Sequence, residues 1–511
     1  MGLGLVTKEA VSTGQPVMSV PRSICMTTGS AVESELAPVL KANPELLDTP
    51  DEVMALYLMS ERKKGERSFW KEYLRTLPDD VDTPLRWGLE DDEGEAELEL
   101  LDGTMVGLLT RMMRHQLVRD WEKLHLPLIE ANPELLGGIR FEDYLWAMTS
   151  IWSRSFDYQE QAPFDGSSPR RCRAMVPVLN AANHDPSAAR CLSDVVEFDP
   201  DDNEEEGEED DAVAKEEHGI KRGAEGTREG EEGTLRVVAG RDYDAGEQFF
   251  ILYGQYSNAK LLYSYGFVLP DNPYGSLDYW VKVPLTDPGF TWKQVLLDGH
   301  FLTRTQAFDF SGTLRAGGWI SPALLATART AQLIPEEKPA AENAFHGRMV
   351  SPRNETAALG ALLAGLRRKL GGQTSTASDE TELVSTLEEE LEQQRQKEKE
   401  VLEASGERKH ASEEREPVED DIRGDTDCSV GVSEIGKGAD GVGIVDPVPR
   451  RVKVLRRRLC AARVRLEEKA VMAEAIAALD ASLRGLRSAV ASGAVASFRT
   501  LDDSSNSSQV V

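Results

Sequence analysis

The stretch from Ala239 to Leu269 limits the possible fold most, because glycines cut it into short pieces. Two apolar runs, 236–239 and 249–252, are bounded by glycines, and this pattern predicts two short buried strands. A turn at 244–246 joins them, and the second strand ends on Tyr253. The stretch therefore predicts a small β unit that presents a tyrosine at a strand end.

The same stretch continues into a predicted helix. Ser257 and Asn258 come just before the apolar run 259–265, and serine or asparagine in this place is a preferred helix cap. The run ends at Tyr265. Tyrosines such as Tyr253 and Tyr265 commonly pack in a core, so the residues alone leave a structural role open for both.

The order of the short motifs in this stretch is much rarer than any one of them. GEQ, four apolar residues, YG, SN and then YGF resemble the closing motif of SET-domain protein methyltransferases, most closely the plant Rubisco large-subunit methyltransferase subfamily. The resemblance implies methyl transfer from S-adenosylmethionine to a lysine of a protein substrate. It also implies that Tyr253 orients the target amine and that Tyr265 forms a wall of the lysine channel.

A second signature lies in the sequence VPVLNAANHDP. Met175 to Leu179 is a buried strand by composition, and the turn residues at 183–186 are predicted to end it. A histidine in a turn can be structural, but the NH pair resembles a SET signature in which Asn183 and His184 hold the adenosyl end of the cofactor. The family commonly has Asp where this chain has Asn180, and an amide brings no charge to the substrate side.

The first 28 residues alternate apolar bursts with turn residues, which predicts a β-hairpin. Gly2 and Gly4 remove side chains on either side of Leu3 and would let a ligand approach the backbone, although a plain turn has the same pattern. The GLGL segment resembles the part of the Rubisco methyltransferase subfamily that lies against S-adenosylmethionine. The family usually has residues before this segment, where this chain has only Met1, so the completeness of the first strand stays open.

Residues 31–155 have helical periodicity. Within them, residues 68–87 match the FW..YL..LP signature of the helical insertion that splits the SET domain in this subfamily. Arg154, in SRSF, follows an apolar helix, where a guanidinium needs a carboxylate, either from a ligand or in an ordinary surface ion pair. The resemblance implies that Arg154 lies between the cofactor and substrate clefts, and that Tyr158 belongs to the substrate site.

Charge and composition exclude some classes of partner. The net charge of −31 argues against nucleic acid as a ligand, and the 16 acidic against 4 basic residues in 199–232 predict a disordered loop. The five cysteines are far apart without a CxxC arrangement, so we expect a reduced intracellular compartment and no metal site. No apolar run reaches transmembrane length, and we expect a soluble monomer without a membrane partner.

The residues after 288 again have helical periodicity and resemble the all-helical lobe with which the subfamily holds its protein substrate. The expected fold is therefore α+β: a SET β-core with a helical insertion, followed by an all-α C-terminal lobe. The predicted divisions are a SET domain at 1–285 with a helical insertion at about 30–158 and a disordered acidic loop at about 199–233, a substrate-binding lobe at 286–490 with a disordered insertion at about 386–449, and a disordered tail at 491–511.

Three functions are compatible with these signatures. The first is an S-adenosylmethionine-dependent protein-lysine N-methyltransferase, the second is the same fold acting on histidine, and the third is a catalytically inactive protein-binding module. YGF at 265–267 favours lysine, because an aromatic hydroxyl suits a channel for an aliphatic amine. The predicted site consists of Tyr253 as the catalytic residue, of Gly2, Leu3, Gly4, Arg154, Asn183 and His184 for the cofactor, and of Arg154, Tyr158, Asn180, Tyr253 and Tyr265 for the substrate.

Overall fold

A computed structural model of the chain describes residues 4–89, 92–160, 170–188, 196–199, 234–301, 312–410, 450–495 and 501. The chain divides into two compact units. The first consists of residues 1–85, 112–255 and 413–447, and the second of residues 86–111, 256–412 and 448–511. The domain boundary expected after residue 285 stays a prediction.

Both units combine short strands with helices. The described strands are β1 (Leu5–Val6), β2 (Pro16–Pro21), β3 (Met26–Thr27), β4 (Ser155–Glu160), β5 (Arg170–Met175), β6 (Asn183–His184), β7 (Val196–Asp199), β8 (Thr234–Val238), β9 (Gln248–Ile251), β10 (Ser276–Tyr279), β11 (Gly312–Arg315) and β12 (Trp319–Ile320). The described α-helices are α1 (Thr28–Val32), α2 (Ala37–Ala42), α3 (Pro50–Lys64), α4 (Lys71–Leu74), α5 (Asp92–Glu99), α6 (Met105–Asp120), α7 (Leu126–Ala131), α8 (Pro133–Leu136), α9 (Phe141–Arg154), α10 (Asn258–Tyr265), α11 (Phe290–Phe301), α12 (Pro322–Ala331), α13 (Pro352–Gly371), α14 (Ala377–His410) and α15 (Arg450–Ser492).

The first unit is built on three small sheets, with strand orders β1-β9-β6, β2-β8-β7 and β3-β5-β4 in the described part of the chain. The strands predicted at 236–239 and 249–252 are present as β8 and β9, and the turn between them is confirmed by the N–H of Glu247, which donates to the carbonyl of Asp244 over 3.1 Å. The two strands lie in different sheets, so each binds a partner from a distant part of the chain.

The predicted hairpin at the N-terminus is wrong. β1 pairs antiparallel with β9, and β2 pairs antiparallel with β8, so the first two strands belong to separate sheets. Apolar alternation gives the strands but not their partners, and here the partners lie more than 200 residues further along.

The second signature also differs locally from its prediction. The strand ends at Met175 instead of Leu179, and Leu179–Ala181 form a single 3-10 turn. The sequence predicts a turn at Asn183 and His184, but these residues form the short strand β6. The break falls at Val178, whose backbone φ of 68° does not fit an extended strand.

Helices α3 and α9 form the centre of the helical insertion in the first unit. α3 begins with Pro50, carries Asp51 and Glu52 in its first turn and has three basic residues in its last turn, as the helix dipole favours. The carboxylate of Asp51 accepts hydrogen bonds from Nε of Arg173 in β5 over 2.5 Å and from Nε1 of Trp152 in α9 over 2.9 Å. These contacts attach the start of α3 to the β-core and to the helix that ends on Arg154.

The second unit packs helices against the antiparallel sheet β10-β11-β12. Its core is formed by apolar residues of the sheet and of α12, α13 and α15, among them Leu314, Leu325, Leu362 and Met472. Arg329 and Glu355, each 1% exposed at the side chain, form a two-point ion pair of 2.7 and 2.8 Å. Because both charges are paired with two hydrogen bonds, their burial is compensated.

The helical continuation at 386–410 corrects part of the disordered insertion expected at 386–449. α14 runs to His410, and Leu387 and Leu391 are buried against Leu455 and Leu459 of α15. The segment is rich in charged residues, but its leucines have helical spacing and form one apolar stripe. Residues 411–449, the expected acidic loop from 200 to 233, and most of the tail from 491 to 511 lie outside the described residues.

Candidate active site

The sheet β1-β9-β6 brings three distant segments of the first unit together. Leu5 faces Phe249 in the antiparallel pair β1–β9, and Asn183 and His184 face Phe250 and Ile251 in the parallel pair β6–β9. The central strand β9 has alternating buried residues, and it is bordered by one strand from each of the other signatures. The three sequence motifs therefore meet in one small sheet.

Tyr253 lies two residues after the end of β9 and is held at its backbone and at its hydroxyl. Its main-chain N–H donates to Nδ1 of His184 over 3.1 Å, and its hydroxyl donates to the carbonyl of Ala182 over 2.9 Å. The two rings lie 5.1 Å apart between centroids. Burial raises the pKa of the Tyr253 phenol to about 12, although the positive charge of Arg154 opposes this shift. The phenol is therefore neutral at physiological pH.

His184 is buried and is held as a hydrogen-bond acceptor. Because Nδ1 accepts the N–H of Tyr253, this nitrogen carries no proton. Burial lowers the pKa of the His184 imidazole, and hydrogen bonding to the carbonyl of Ile251 acts in the opposite direction. The neutral ring fixes the backbone turn that leads from β9 to Tyr253.

Arg154 is the last residue of α9, so the end of that helix determines its position. One guanidinium nitrogen, Nη1, donates to the backbone carbonyl of Asn180 over 2.8 Å. Its Nε is buried and has no hydrogen-bond partner among the described residues. Burial lowers the pKa of the guanidinium, and the neighbouring phenols of Tyr253 and Tyr73 oppose this effect. The result is a partly buried cation beside Tyr253 whose buried Nε donor is unused.

Asn180 links this site to the helical insertion. Its side-chain amide donates to the hydroxyl of Tyr73 over 2.8 Å, while its backbone carbonyl accepts from Arg154. Burial raises the pKa of the Tyr73 phenol well above its ordinary value. Sequence reasoning missed Tyr73 as a site residue, because its motif, KEYLRTLP, has the composition of a packed connector. Its place in the FW..YL..LP signature was the available signal.

Gly4 lies where two predicted cofactor segments approach each other. A Cβ atom at Gly4 would overlap the side-chain amide of Gln248 and would lie 3.1 Å from Nδ2 of Asn183. The backbone at Gly4 therefore comes close to the Asn183 amide only because no side chain intervenes. Gly2 and Leu3, which the sequence predicts together with Gly4, lie outside the described residues.

Two predicted substrate residues, Tyr158 and Tyr265, lie outside the sheet β1-β9-β6. Tyr158 is in β4 opposite Cys172, and its side chain is outside the described part of the structure. Tyr265 ends α10 in the second unit, and its ring centroid is 6.2 Å from those of both Tyr256 and Phe267. The predicted cap of α10 is confirmed, since the Ser257 hydroxyl accepts the N–H of Lys260. The roles of both tyrosines remain predictions.

Neither a metal centre nor a membrane span is found in the described ranges. No group of three or more His, Cys, Asp and Glu side chains there is arranged to hold a metal ion. None of the described helices has the length and apolar character required to cross a bilayer.

Comparison with known proteins gives matches over both units. Residues 284–472 match the family described as Rubisco LSMT substrate-binding. The crystal structure of the SET domain of LSMT bound to lysine and AdoHcy superposes with a TM-score of 0.62 at 18% identity, covering 95% of this chain and 86% of that one.

Curated relatives give a second set of matches. Actin-histidine N-methyltransferases of Rhinolophus ferrumequinum and Homo sapiens are 26% and 25% identical over 341 residues, which is 66% of this chain and 49% of each relative. The chain thus spans about half the length of these relatives.

The chain has a SET-type fold, in which one small sheet brings the three motifs together. Residues 284–472 match the Rubisco LSMT substrate-binding family, and the fold of the chain is similar to that of the SET domain of LSMT. The resemblance inferred from the motifs is confirmed, as is the α+β fold class.

Proposed function

We propose that this chain transfers a methyl group from S-adenosylmethionine to a side-chain nitrogen of a protein, with lysine as the target. The observation that supports this most is the sheet β1-β9-β6, which brings Asn183 and His184 next to the strand that leads to Tyr253 and to the strand that follows Gly4. A cofactor site and a nucleophile-orienting group are needed side by side for such a transfer, and proximity accounts for much of the rate.

The residues fit this cofactor in charge and in space. The buried Nε of Arg154 is an unused donor that would suit a carboxylate such as that of the methionyl group. The missing side chain at Gly4 lets the side-chain amides of Gln248 and Asn183 approach its backbone, and the adenosyl end would be held beside the Asn183 amide. When bound, S-adenosylmethionine supplies an electrophilic methyl group on a positively charged sulfur.

The protein must provide a neutral amine. With a pKa near 10.4, only about one lysine in a thousand is neutral near pH 7.5, which corresponds to roughly 4 kcal/mol. The partly buried cation of Arg154 beside Tyr253 disfavours a second positive charge in the same place and so lowers the pKa of an entering amine. Charge and burial at the site therefore favour the reactive form.

Tyr253 orients the amine and does not act as a strong base. Its pKa of about 12 makes the phenolate too scarce for that role. A phenol oxygen that donates its proton to Ala182 can also accept an N–H of the amine, because donor and acceptor functions of a hydroxyl are separate. This contact would turn the nitrogen lone pair toward the methyl group.

Histidine is the second candidate target, because the curated relatives are named actin-histidine N-methyltransferases. The two targets differ in protonation. An imidazole with a pKa near 6.5 is largely neutral at pH 7.5, whereas a lysine is not. Methyl transfer to histidine should therefore level off above about pH 7, while transfer to lysine should keep rising with pH until the lowered amine pKa is reached.

The test is labelling with tritiated S-adenosylmethionine in an extract of the source organism, followed by mass spectrometry of the labelled residue. A labelled lysine supports the proposal, and a labelled histidine replaces it with the second candidate. Tyr253→Phe is the matched control, because it should bind the cofactor normally but label slowly. Absence of both cofactor binding and label would leave the chain as a protein-binding module.

A further inference from the structure

The turn that carries Asn180 has an unusual backbone at Val178. This residue has φ 68° and ψ −54°, and the N–H of Leu179 donates to the carbonyl of Pro177 over 2.8 Å across it. This is a γ-turn with positive central φ, a rare and strained conformation. Val178 is the only residue other than glycine with positive φ in the described part of the chain.

The branched side chain of Val178 raises the conformational energy of this turn above that of the same turn with glycine. β-Branched residues are outliers at positive φ, where glycine would adopt the same turn without a Cβ clash. The turn is kept in place by its neighbours, since Val176 and Leu179 are 1% and 2% exposed. Val178 itself is 46% exposed, so its methyl groups are not held in the core.

Val178 lies in the same short segment as the groups that bound the site. Two residues further on, the carbonyl of Asn180 accepts from Arg154, and the carbonyl of Ala182 accepts from the hydroxyl of Tyr253. The segment is tightened by the N–H of Ala181, which donates to the carbonyl of Val178 over 2.9 Å. An exposed apolar side chain thus lies four residues before the carbonyl that accepts from the proposed catalytic tyrosine.

We infer that Val178 is a specificity-determining residue that contacts an apolar side chain next to the methylated residue of the protein substrate. This inference rests on the proposed function. Strained residues that the surrounding structure over-determines occur mainly at functional sites. An apolar side chain in the segment that bounds the site would select an apolar neighbour by burying it, with a discrimination of about tenfold for a contact of this size.

The test uses two peptide libraries with a fixed central lysine or histidine and random neighbours, labelled with tritiated S-adenosylmethionine by the full chain. The parent should prefer an apolar residue at one neighbouring position by about tenfold. Val178→Ala and Val178→Gly should both lose this preference and keep the cofactor affinity. Val118→Ala is the matched control, because Val118 is 42% exposed on α6 in a different place.

The two variants distinguish a direct contact of Val178 with the substrate from a role in positioning Asn180, when their melting temperatures are compared together with their neighbour preferences. Val178→Gly relieves the strain and should melt at or above the temperature of Val178→Ala. If Val178 acted only by positioning Asn180, the glycine variant, which can keep the turn, should retain the parent preference while the alanine variant changes it. That result would overturn the inference.

Three further outcomes also overturn it. Unchanged neighbour preference in both variants removes the proposed contact but leaves the proposed function intact. If the parent labels proteins in the extract but neither library, recognition does not depend on neighbours of the target, and the inference falls alone. Labelling of neither libraries nor extract removes the proposed function together with the inference.

Discussion

The main-chain N–H of Tyr253 donates to Nδ1 of His184 over 3.1 Å, which joins two residues that are 69 positions apart. The contact requires a ring nitrogen without a proton, and burial keeps the imidazole of His184 neutral by lowering its pKa. It thus connects the strand of the NH signature to the end of the strand of the closing signature. The position of the Tyr253 hydroxyl depends on this junction.

Replacement of Tyr253 by phenylalanine should slow methyl transfer by at least about tenfold, or about 1.4 kcal/mol in the barrier. The hydroxyl is proposed to orient the amine, so the dissociation constant of S-adenosylmethionine should hardly change. Single-turnover rates and calorimetric titration measure the two quantities separately.

Tyr243→Phe is the matched control for this change. The hydroxyl of Tyr243 donates to the carbonyl of Phe250 over 2.9 Å in the same unit, so its loss removes a similar hydrogen bond away from the proposed nucleophile. Both variants should lose about 1 kcal/mol of stability. Equal methyl-transfer rates in the two variants would contradict an orienting role for Tyr253.

Replacement of Arg154 by glutamine should weaken cofactor binding by about tenfold to a hundredfold, the range for a lost hydrogen bond to a charged group. The physical reason is that the buried Nε would no longer meet the carboxylate of the cofactor. Arg154→Lys keeps the charge but not the fork of donors, so it should recover only part of the affinity. Titration with S-adenosylhomocysteine measures the effect without turnover.

Arg241→Gln is a suitable control for the charge change. Arg241 forms an ion pair of 2.6 Å with Glu247 on the turn before β9 and has no proposed contact with the cofactor. Its loss should leave the dissociation constant within about twofold, as expected for a partly exposed ion pair. If Arg154→Gln bound the cofactor as tightly as this control, Arg154 would have only a structural role.

Gly4→Ala should weaken cofactor binding with little effect on stability. The new methyl group would meet the end of the flexible Gln248 side chain, which can move away, so the cost in unfolding free energy should stay below about 1 kcal/mol. The added Cβ also comes within 3.1 Å of Nδ2 of Asn183, in the space proposed for the adenosyl end. Thermal melting with and without S-adenosylhomocysteine measures both effects.

The combined variant Gly4→Ala with Gln248→Ala distinguishes two explanations. If the loss of affinity arises from displacement of Gln248, the double variant should regain it. If it arises from the filled space beside Asn183, the double variant should stay weak. An unchanged affinity in Gly4→Ala would exclude Gly4 from the cofactor site.

The sequence predicted the local pieces of the site well. Glycines at 240, 246 and 254 limit the strands around Tyr253, and the serine at 257 caps the next helix, because these signals act over a few residues. The partners of the strands were not predictable in this way. The pairing of Leu5 with Phe249 depends on the whole core, and no local pattern encodes it.

Two residues of the site were outside the reach of local patterns. Tyr73 has the sequence environment of a packing residue, and only the fold brings its hydroxyl to the amide of Asn180. Val178 has a high strand propensity, yet tertiary contacts hold it in a γ-turn. In both places the structure departs from local preference where the site is assembled.

Glu468 in α15 gives a prediction about pH. Burial raises the pKa of its carboxyl to about 7, with the positive charge of Lys369 in opposition. The folded chain therefore keeps the proton up to about pH 7, whereas the unfolded chain releases it near 4.5. Unfolding releases a proton between these values, so this group makes the protein less stable as the pH rises from about 5 to 7.

Glu468→Gln should remove this loss of folding stability at higher pH. The amide oxygen can still accept the N–H of Met105, which Oε1 of Glu468 accepts over 2.7 Å, but it cannot ionise. The variant should be more stable than the parent at pH 8 by on the order of 2 kcal/mol and equal to it near pH 4.5. Glu474→Gln is the control, since this exposed carboxylate of the same helix accepts the N–H of Gly317 over 2.6 Å. Denaturant unfolding at pH 5, 6.5 and 8 measures the difference, and parallel curves for all three proteins would rule out a buried titrating carboxyl at Glu468.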